Sequence, residues 1–217
     1  MKDRITTGGI VLDMAPQGEN NRRLTLLSDT LGRVSVFANG SRRENSPLSA
    51  ASQRFAMGQF TLARGFSAWQ LESARLSETF WGLSADLEKM CLASYFADLA
   101  GYFTRENLAA KDELNLLYVT FRTLLREDAD LISVRAAYML KLLDVEGVGM
   151  DMEKTAGIRP ASTAAAVRYI LTSSIGAVYG FRLEPEGRDM LLRIAREEMS
   201  KQVDVELKSL AILESIM

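Results

Sequence analysis

G-R-V-S-V-F-A-N-G-S-R-R-E-N-S-P-L-S-A-A-S-Q-R-F, residues 32–55, is the stretch from which the first third of the chain can be read. Residues 33–38 alternate apolar and polar side chains, the period of a half-buried strand. Val34, Val36 and Ala38 fall on one face, and Ser35, Phe37 and Asn39 on the other. Asn39-Gly40 suits the positive φ of a tight turn, which brings Arg42 and Arg43 to an exposed tip. A guanidinium stays charged and offers paired donors that match phosphate oxygens. An arginine pair on a loop at the end of a strand therefore suits a nucleic-acid backbone.

Outward from that stretch, residues 4–13 predict a first strand, with Gly8-Gly9 marking a bulge or sharp coil. Residues 15–21 are rich in turn formers and predict a loop. Residues 22–28 predict a second strand, joined to 33–38 as a hairpin. A fourth strand is expected over 54–64, with a bend at Gly58, and a fifth over 66–76 after Gly65. Five short, glycine-punctuated strands predict a small closed barrel. The expected class is α+β: an N-terminal five-stranded OB-fold barrel followed by an all-α helical domain. An SH3-like barrel is the alternative that periodicity leaves open.

Beyond residue 78 the apolar period becomes helical. One helix is expected over 79–103 with Ser77 or Ser84 as cap, one over 111–126, and one over 130–145 ended by Gly147 and Gly149. A connector at 146–161 leads to a helix at 162–174. A last helical region opens at Glu184-Pro185 and continues to Ile216. The expected domains are 1–78 and 79–217.

The totals narrow the function. The 217 residues carry 26 Lys and Arg against 28 Asp and Glu, a net charge of -2. The balance is uneven: residues 1–80 hold 10 cations, nine of them arginine, against 7 acids, and residues 81–217 hold 16 against 21. A mildly basic, arginine-rich first part can meet phosphates while the whole chain stays acidic. There is no histidine and one cysteine, Cys91, which reads as a small core residue. The commonest general base, histidine-paired nucleophiles and cysteine-cluster zinc sites are thus excluded. No G-x-x-x-x-G-K-[ST] run occurs, so ATP use is not expected. No catalytic residue, metal or cofactor is expected. No apolar run is long enough for a membrane span, and the N-terminal stretch lacks a signal-peptide core. The expected location is the cytoplasm.

Arg42 and Arg43 lead the candidate phosphate contacts, with Arg22, Arg33, Arg54 and Arg64 around them; alternation puts Arg23 on the face opposite Arg22. Phe37, Phe66 and Trp69 are the aromatics that could stack on bases. With so few, binding is expected to be mainly electrostatic and salt-sensitive.

The run G-E-N-N-R-R-L-T-L-L-S-D-T-L-G-R-V-S-V-F-A-N-G-S-R-R, residues 18–43, resembles the bacterial recombination-repair family RecO. Gly18, Glu19, Thr25, Leu26, Leu27, Gly32, Gly40, Arg42 and Arg43 carry the likeness, and Tyr138-Met139-Leu140-Lys141-Leu142-Leu143 extends it into the helical part. The resemblance implies a non-enzymatic, nucleoid-associated mediator of the RecF pathway. Such a protein binds single- and double-stranded DNA, anneals complementary strands, and with RecR helps load RecA. It further implies that Arg135 and Lys141, beside Tyr138, meet the acidic, apolar C-terminal tail of single-stranded-DNA-binding protein. Many members carry a four-cysteine zinc module where residues 146–161 lie here; those residues contain no cysteine, so no zinc is expected. Glu44 directly after the arginine pair departs from the more basic family loop. It motivates the alternative of a protein-interaction adaptor with little DNA binding of its own.

Overall fold

The structure, a computed structural model, describes residues 4–66 and 68–216. The chain divides into two compact units: Met1–Trp81 with Ala97–Leu114, and Gly82–Phe96 with Asn115–Met217.

In the first unit, β1 (Arg4–Gln17), β2 (Asn21–Ser28), β3 (Gly32–Ala38), β4 (Met57–Arg64) and β5 (Trp69–Glu78) close a barrel. Its strand order is β1-β2-β3-β5-β4, with β1 also paired to β4. This is the OB-fold. All pairs are antiparallel except β3 with β5, which meet in parallel through Val36↔Trp69 and Phe37↔Gln70. The alternation of β3 holds, since Val34, Val36 and Ala38 are buried. They join Val11, Leu24, Leu26, Phe60, Leu62, Trp69 and Leu71 in the barrel core. Each large apolar side chain removed from water contributes about 1.5–3 kcal/mol.

Several boundaries move. β1 runs on to Gln17, because Pro16 and Gln17 pair with Arg22 and Asn21. The expected loop at 15–21 shrinks to a turn at 18–20, with Gly18 at φ +63°. The irregularity in β1 lies between Val11 and Asp13, not at Gly8-Gly9. Gly9 instead faces Gly58 across the β1–β4 ladder. A Cβ at Gly58 would collide with the Arg75 carbonyl, so glycine is needed there for close approach. β4 starts three residues later than expected. A short 3-10 turn (Ala50–Ser52) and the positive φ of Phe55, +68°, take up residues 50–55.

Residues 105–110 are stitched to the β2–β3 hairpin. Asn107 N–H donates to Leu31 O at 2.8 Å, Ala110 N–H to Asp29 O at 3.2 Å, and Arg33 N–H to Arg105 O at 3.3 Å. Gly32, at φ +68°, permits this approach: a Cβ there would run into the Arg105 and Leu108 carbonyl oxygens.

The helices are α1 (Leu87–Phe103), α2 (Lys111–Leu124), α3 (Leu131–Val145), α4 (Ala161–Thr172), α5 (Pro185–Ser200) and α6 (Lys208–Ile216). The helix expected from residue 79 is preceded by a 3-10 turn, Trp81–Ala85. Its first turn is capped by Asp86, which accepts from the Lys89 N–H at 3.1 Å, rather than by Ser77 or Ser84. Asp130 caps α3 through Ser133. Gly147, at φ +71°, ends α3 with Gly147 N–H on Asp144 O and Val148 N–H on Leu143 O, the paired bonds of a Schellman motif. Every residue from Ser133 to Leu143 is buried, so α3 is the spine of the helical unit, packed by α4 and α5. The last region is two helices rather than one, because residues 201–207 leave the helix between α5 and α6. Among the described residues no helix is long and apolar enough to cross a membrane.

Candidate nucleic-acid interface

β2 and β3 pair Arg23 with Phe37, Thr25 with Ser35, and Leu27 with Arg33. Directly paired residues share a face, and this row lies opposite the core set of Leu24, Leu26, Val34 and Val36. Arg23 and Arg33 are exposed and Phe37 is half-buried. Arg23 is therefore an outward cation beside the outward aromatic, and the sequence reading had set it aside in favour of Arg22. Arg22 shares the inward parity of Leu24 and Leu26, and that parity was legible in the sequence. Its guanidinium donates to Ser52 Oγ at 2.7 Å and Ser49 O at 3.3 Å. It acts as a strut for the 50–52 turn.

The arginine loop leaves β3 through Gly40, at φ +70°, whose N–H donates to Asn21 Oδ1 at 2.8 Å. The Arg42 N–H donates to Asn20 O at 3.0 Å, and its guanidinium to Gly18 O at 3.2 Å. The loop thus lies against the β1–β2 turn. Arg42, Arg43 and Glu44 are exposed, and among the described residues neither arginine makes an ion pair. Two neighbouring charges with no carboxylate ion-paired to them keep their field for an outside anion.

The remaining arginines differ. Arg54 is half-buried, with Nε on Leu12 O at 2.8 Å, Nη2 3.7 Å from Asp98, and its guanidinium over the Phe55 ring. Arg33 donates to Gly101 O. Arg64 is exposed, with its guanidinium 5.2 Å from the centre of the Trp69 ring. Trp69 itself belongs to the barrel core and is not a stacking platform. Phe66 is fully exposed in the β4–β5 turn. The Val36↔Trp69 and Arg22↔Ala38 registers put this turn, the β1–β2 turn and the arginine loop at one end of the barrel. The OB-fold uses loops at this end, with its β2–β3 face, to bind oligonucleotides.

The residues expected to meet a partner are buried in the helical unit. Tyr138 is wholly buried, donates to Phe96 O at 2.9 Å and stacks 4.3 Å from the Phe96 ring. Lys141 is buried, with Nζ on Asp144 Oδ2 at 2.8 Å and on Leu171 O at 3.3 Å. Arg135 is 1% exposed, its guanidinium 5.3 Å from the centre of the Tyr95 ring. Burial pulls the Arg135 guanidinium below its ordinary pKa and Arg196 adds to this, while Tyr95 and Glu214 oppose it. An apolar helix pattern interrupted by Arg135 and Lys141 reads the same for buried as for rim positions, so the sequence could not separate them.

A further cavity of the helical unit is lined by Arg126, Arg182 and Arg188 with Asp128, Asp130 and Glu184. Asp128 accepts from Arg126 at 3.0 Å and from Arg182 at 3.2 Å, and Arg188 lies 3.8 Å from Asp130. Its cations are matched by acids, unlike Arg42 and Arg43.

The barrel, its exposed arginine loop and its outward β2–β3 face define an OB-fold protein with an attached helical unit. Residues 1–80 match the family model described as "Recombination protein O N terminal". The chain is 29% identical over 144 residues to DNA repair protein RecO of Alkaliphilus metalliredigens, covering 66% of this chain and 58% of that protein. It is 22% identical over 239 residues to DNA repair protein RecO of Clostridium kluyveri, covering 97% and 93%. With DNA repair protein RecO of Desulforudis audaxviator the identity is 34% over 151 residues, covering 70% and 60%. The chain is thus similar to RecO proteins, through their N-terminal domain over residues 1–80 and, with single relatives, over nearly its whole length.

Proposed function

We propose that this chain is a non-enzymatic recombination mediator in bacterial DNA repair, acting in the cytoplasm at the nucleoid. The barrel, residues 1–78, holds single- and double-stranded DNA. Arg42 and Arg43 take backbone phosphates, with Arg23 and Arg64 flanking them and Phe37 on the outer row. Arg22 and Arg54 shape the surface from behind through their bonds to the chain's own oxygens, while Arg33 lies on the outer row with its guanidinium on the Gly101 carbonyl. Neutralising phosphates on two strands together lowers their repulsion, and this is the physical basis for annealing. The helical part, residues 79–217, serves partners: RecR, and the acidic tail of single-stranded-DNA-binding protein during RecA loading.

The observation that carries the reading is the exposed Arg42–Arg43 pair, free of ion pairs among the described residues and set against the β1–β2 turn. The test is fluorescence anisotropy of labelled single-stranded DNA against salt. About three or four phosphate contacts give a log–log slope of about -2 to -3 for single strands, and the double variant Arg42→Ala/Arg43→Ala flattens it by about 1.4. An unchanged slope in the double variant moves the site off the loop. No binding by the unaltered protein, even at low salt, favours the adaptor reading that exposed Glu44 supports.

A further inference from the structure

Arg135 carries an unusual combination. Its side chain is 1% exposed, yet neither Nε nor Nη2 donates a hydrogen bond to any atom of the described residues. These two nitrogens lie on one edge of the guanidinium, the edge that takes both oxygens of a carboxylate in parallel. Buried donors of this kind are costly when unsatisfied, and a guanidinium cannot shed its charge to escape the cost.

The carboxylate nearest that edge is Glu214 of α6. It stands 3.9 Å from Arg135 Nη2 and also 3.9 Å from Arg196 Nη2. Both separations exceed hydrogen-bond length, so Glu214 compensates charge without filling the fork. α6 is also lightly held. It has nine residues, and only Ser209 and Leu213 are buried; Ile212 is 55% exposed. A helix this short has little stability of its own, and residues 201–207 connect it to α5 without regular structure. Segments with so few buried contacts open locally at low free energy.

We propose that α6 is a releasable cover over Arg135, occupying a carboxylate-receiving site in competition with an acidic, apolar peptide of a partner protein. The inference rests on the reading above that the helical part receives such a peptide, and it adds the regulation. The Leu213–Glu214 pair supplies one apolar anchor and one carboxylate. A partner peptide with the same two features can take the Leu213 berth and present its carboxylate side-on to Arg135 Nε and Nη2. Arg196 adds a second cation at the rim. Binding is then attenuated by whatever free energy holds α6 down, since the open form is only a fraction of the population.

The test uses the full chain and a fluorescein-labelled peptide carrying three aspartates ahead of two apolar residues, with anisotropy as the readout. Glu214→Gln weakens the internal competitor and is expected to tighten the peptide about 3- to 10-fold. Arg135→Met, which keeps the buried volume, is expected to abolish binding while circular dichroism remains that of the unaltered protein. Hydrogen exchange supplies an independent arm: amides of 208–216 are expected to exchange well before those of α3, and faster still with peptide bound. If Glu214→Gln leaves the affinity unchanged while Arg135→Met abolishes it, the peptide site stands and the cover is overturned. If 208–216 exchange only together with α3, the cover is overturned whatever the peptide does. If the peptide binds none of the three proteins, the partner reading and the cover both fail.

Discussion

The barrel and the helical unit use arginine in opposite ways. In the barrel, Arg42 and Arg43 stand exposed on a loop held by main-chain bonds, with no acid among the described residues paired to them. In the helical unit, Arg135 is sealed on the largely buried helix α3, stacked on Tyr95, with Glu214 at a distance. An exposed guanidinium costs the fold almost nothing, and its field is available to a ligand. A buried one is part of the fold, and its removal is felt first as instability. Chemistry and structure are thus separable in the first unit and entangled in the second.

The sharpest test of that contrast is thermal unfolding. Arg135→Ala leaves a hole and strips Tyr95 of its stacked cation, so a loss of about 3 kcal/mol or more is expected. Arg135→Met fills the volume without a charge to desolvate and is expected to cost far less. Arg42→Ala is expected to stay within about 0.5 kcal/mol of the unaltered protein. Equal losses at both positions would erase the comparison.

Within the barrel, Phe37→Ala removes the half-buried aromatic of the outer row. If a base stacks there, affinity for single strands falls at least about 5-fold with the salt slope unchanged, as expected for a stacking contribution of about 1 kcal/mol or more. Titrations at several salt concentrations separate this from a lost phosphate contact. The neighbours Arg22 and Arg23 sharpen the point further. Arg23→Ala is expected to reduce the slope by about 0.7, one phosphate contact, without changing the melting temperature. Arg22→Ala is expected to lower stability by about 1 kcal/mol through its lost bonds to Ser49 and Ser52, and to leave the slope alone.

The smallest effect concerns Asp128. Hydrogen bonds from Arg126 and then Arg182 hold its carboxyl below the ordinary carboxylate range. A depressed carboxylate stabilises the fold above its unfolded pKa, about 4, and that contribution is lost as pH falls through the lower folded value. Asp128→Asn is therefore expected to lower the melting temperature slightly at pH 7 and not at all below the folded pKa. A difference that persists in strong acid would mean that the side chain acts through packing rather than charge.

Much of the barrel was legible because its cues are local. Alternation in 33–38, turn residues at 39–40 and glycines between apolar runs each report on a few neighbouring positions. The errors came where pairing over distance decides. Nothing local shows that Pro16 and Gln17 find Arg22 and Asn21. Likewise, Val203 and Leu207 keep helical spacing through a segment that is not helical. In the interface, parity could have chosen Arg23 over Arg22 as the outward cation, because Leu24 and Leu26 declare the inner face. The burial of Arg135 had no comparable signal, since helices distant in the sequence pack around α3 and decide it.

The stitching of residues 105–110 onto the β2–β3 hairpin has a consequence for the order of synthesis. A chain emerging from the ribosome presents all five strands by Glu78. The carbonyls of Asp29 and Leu31 then still lack the donors that Ala110 and Asn107 will bring. The hairpin that carries the arginine loop is finished only when a helix-bearing segment some thirty residues downstream has been made. The nascent barrel can close early, but its β2–β3 hairpin matures late.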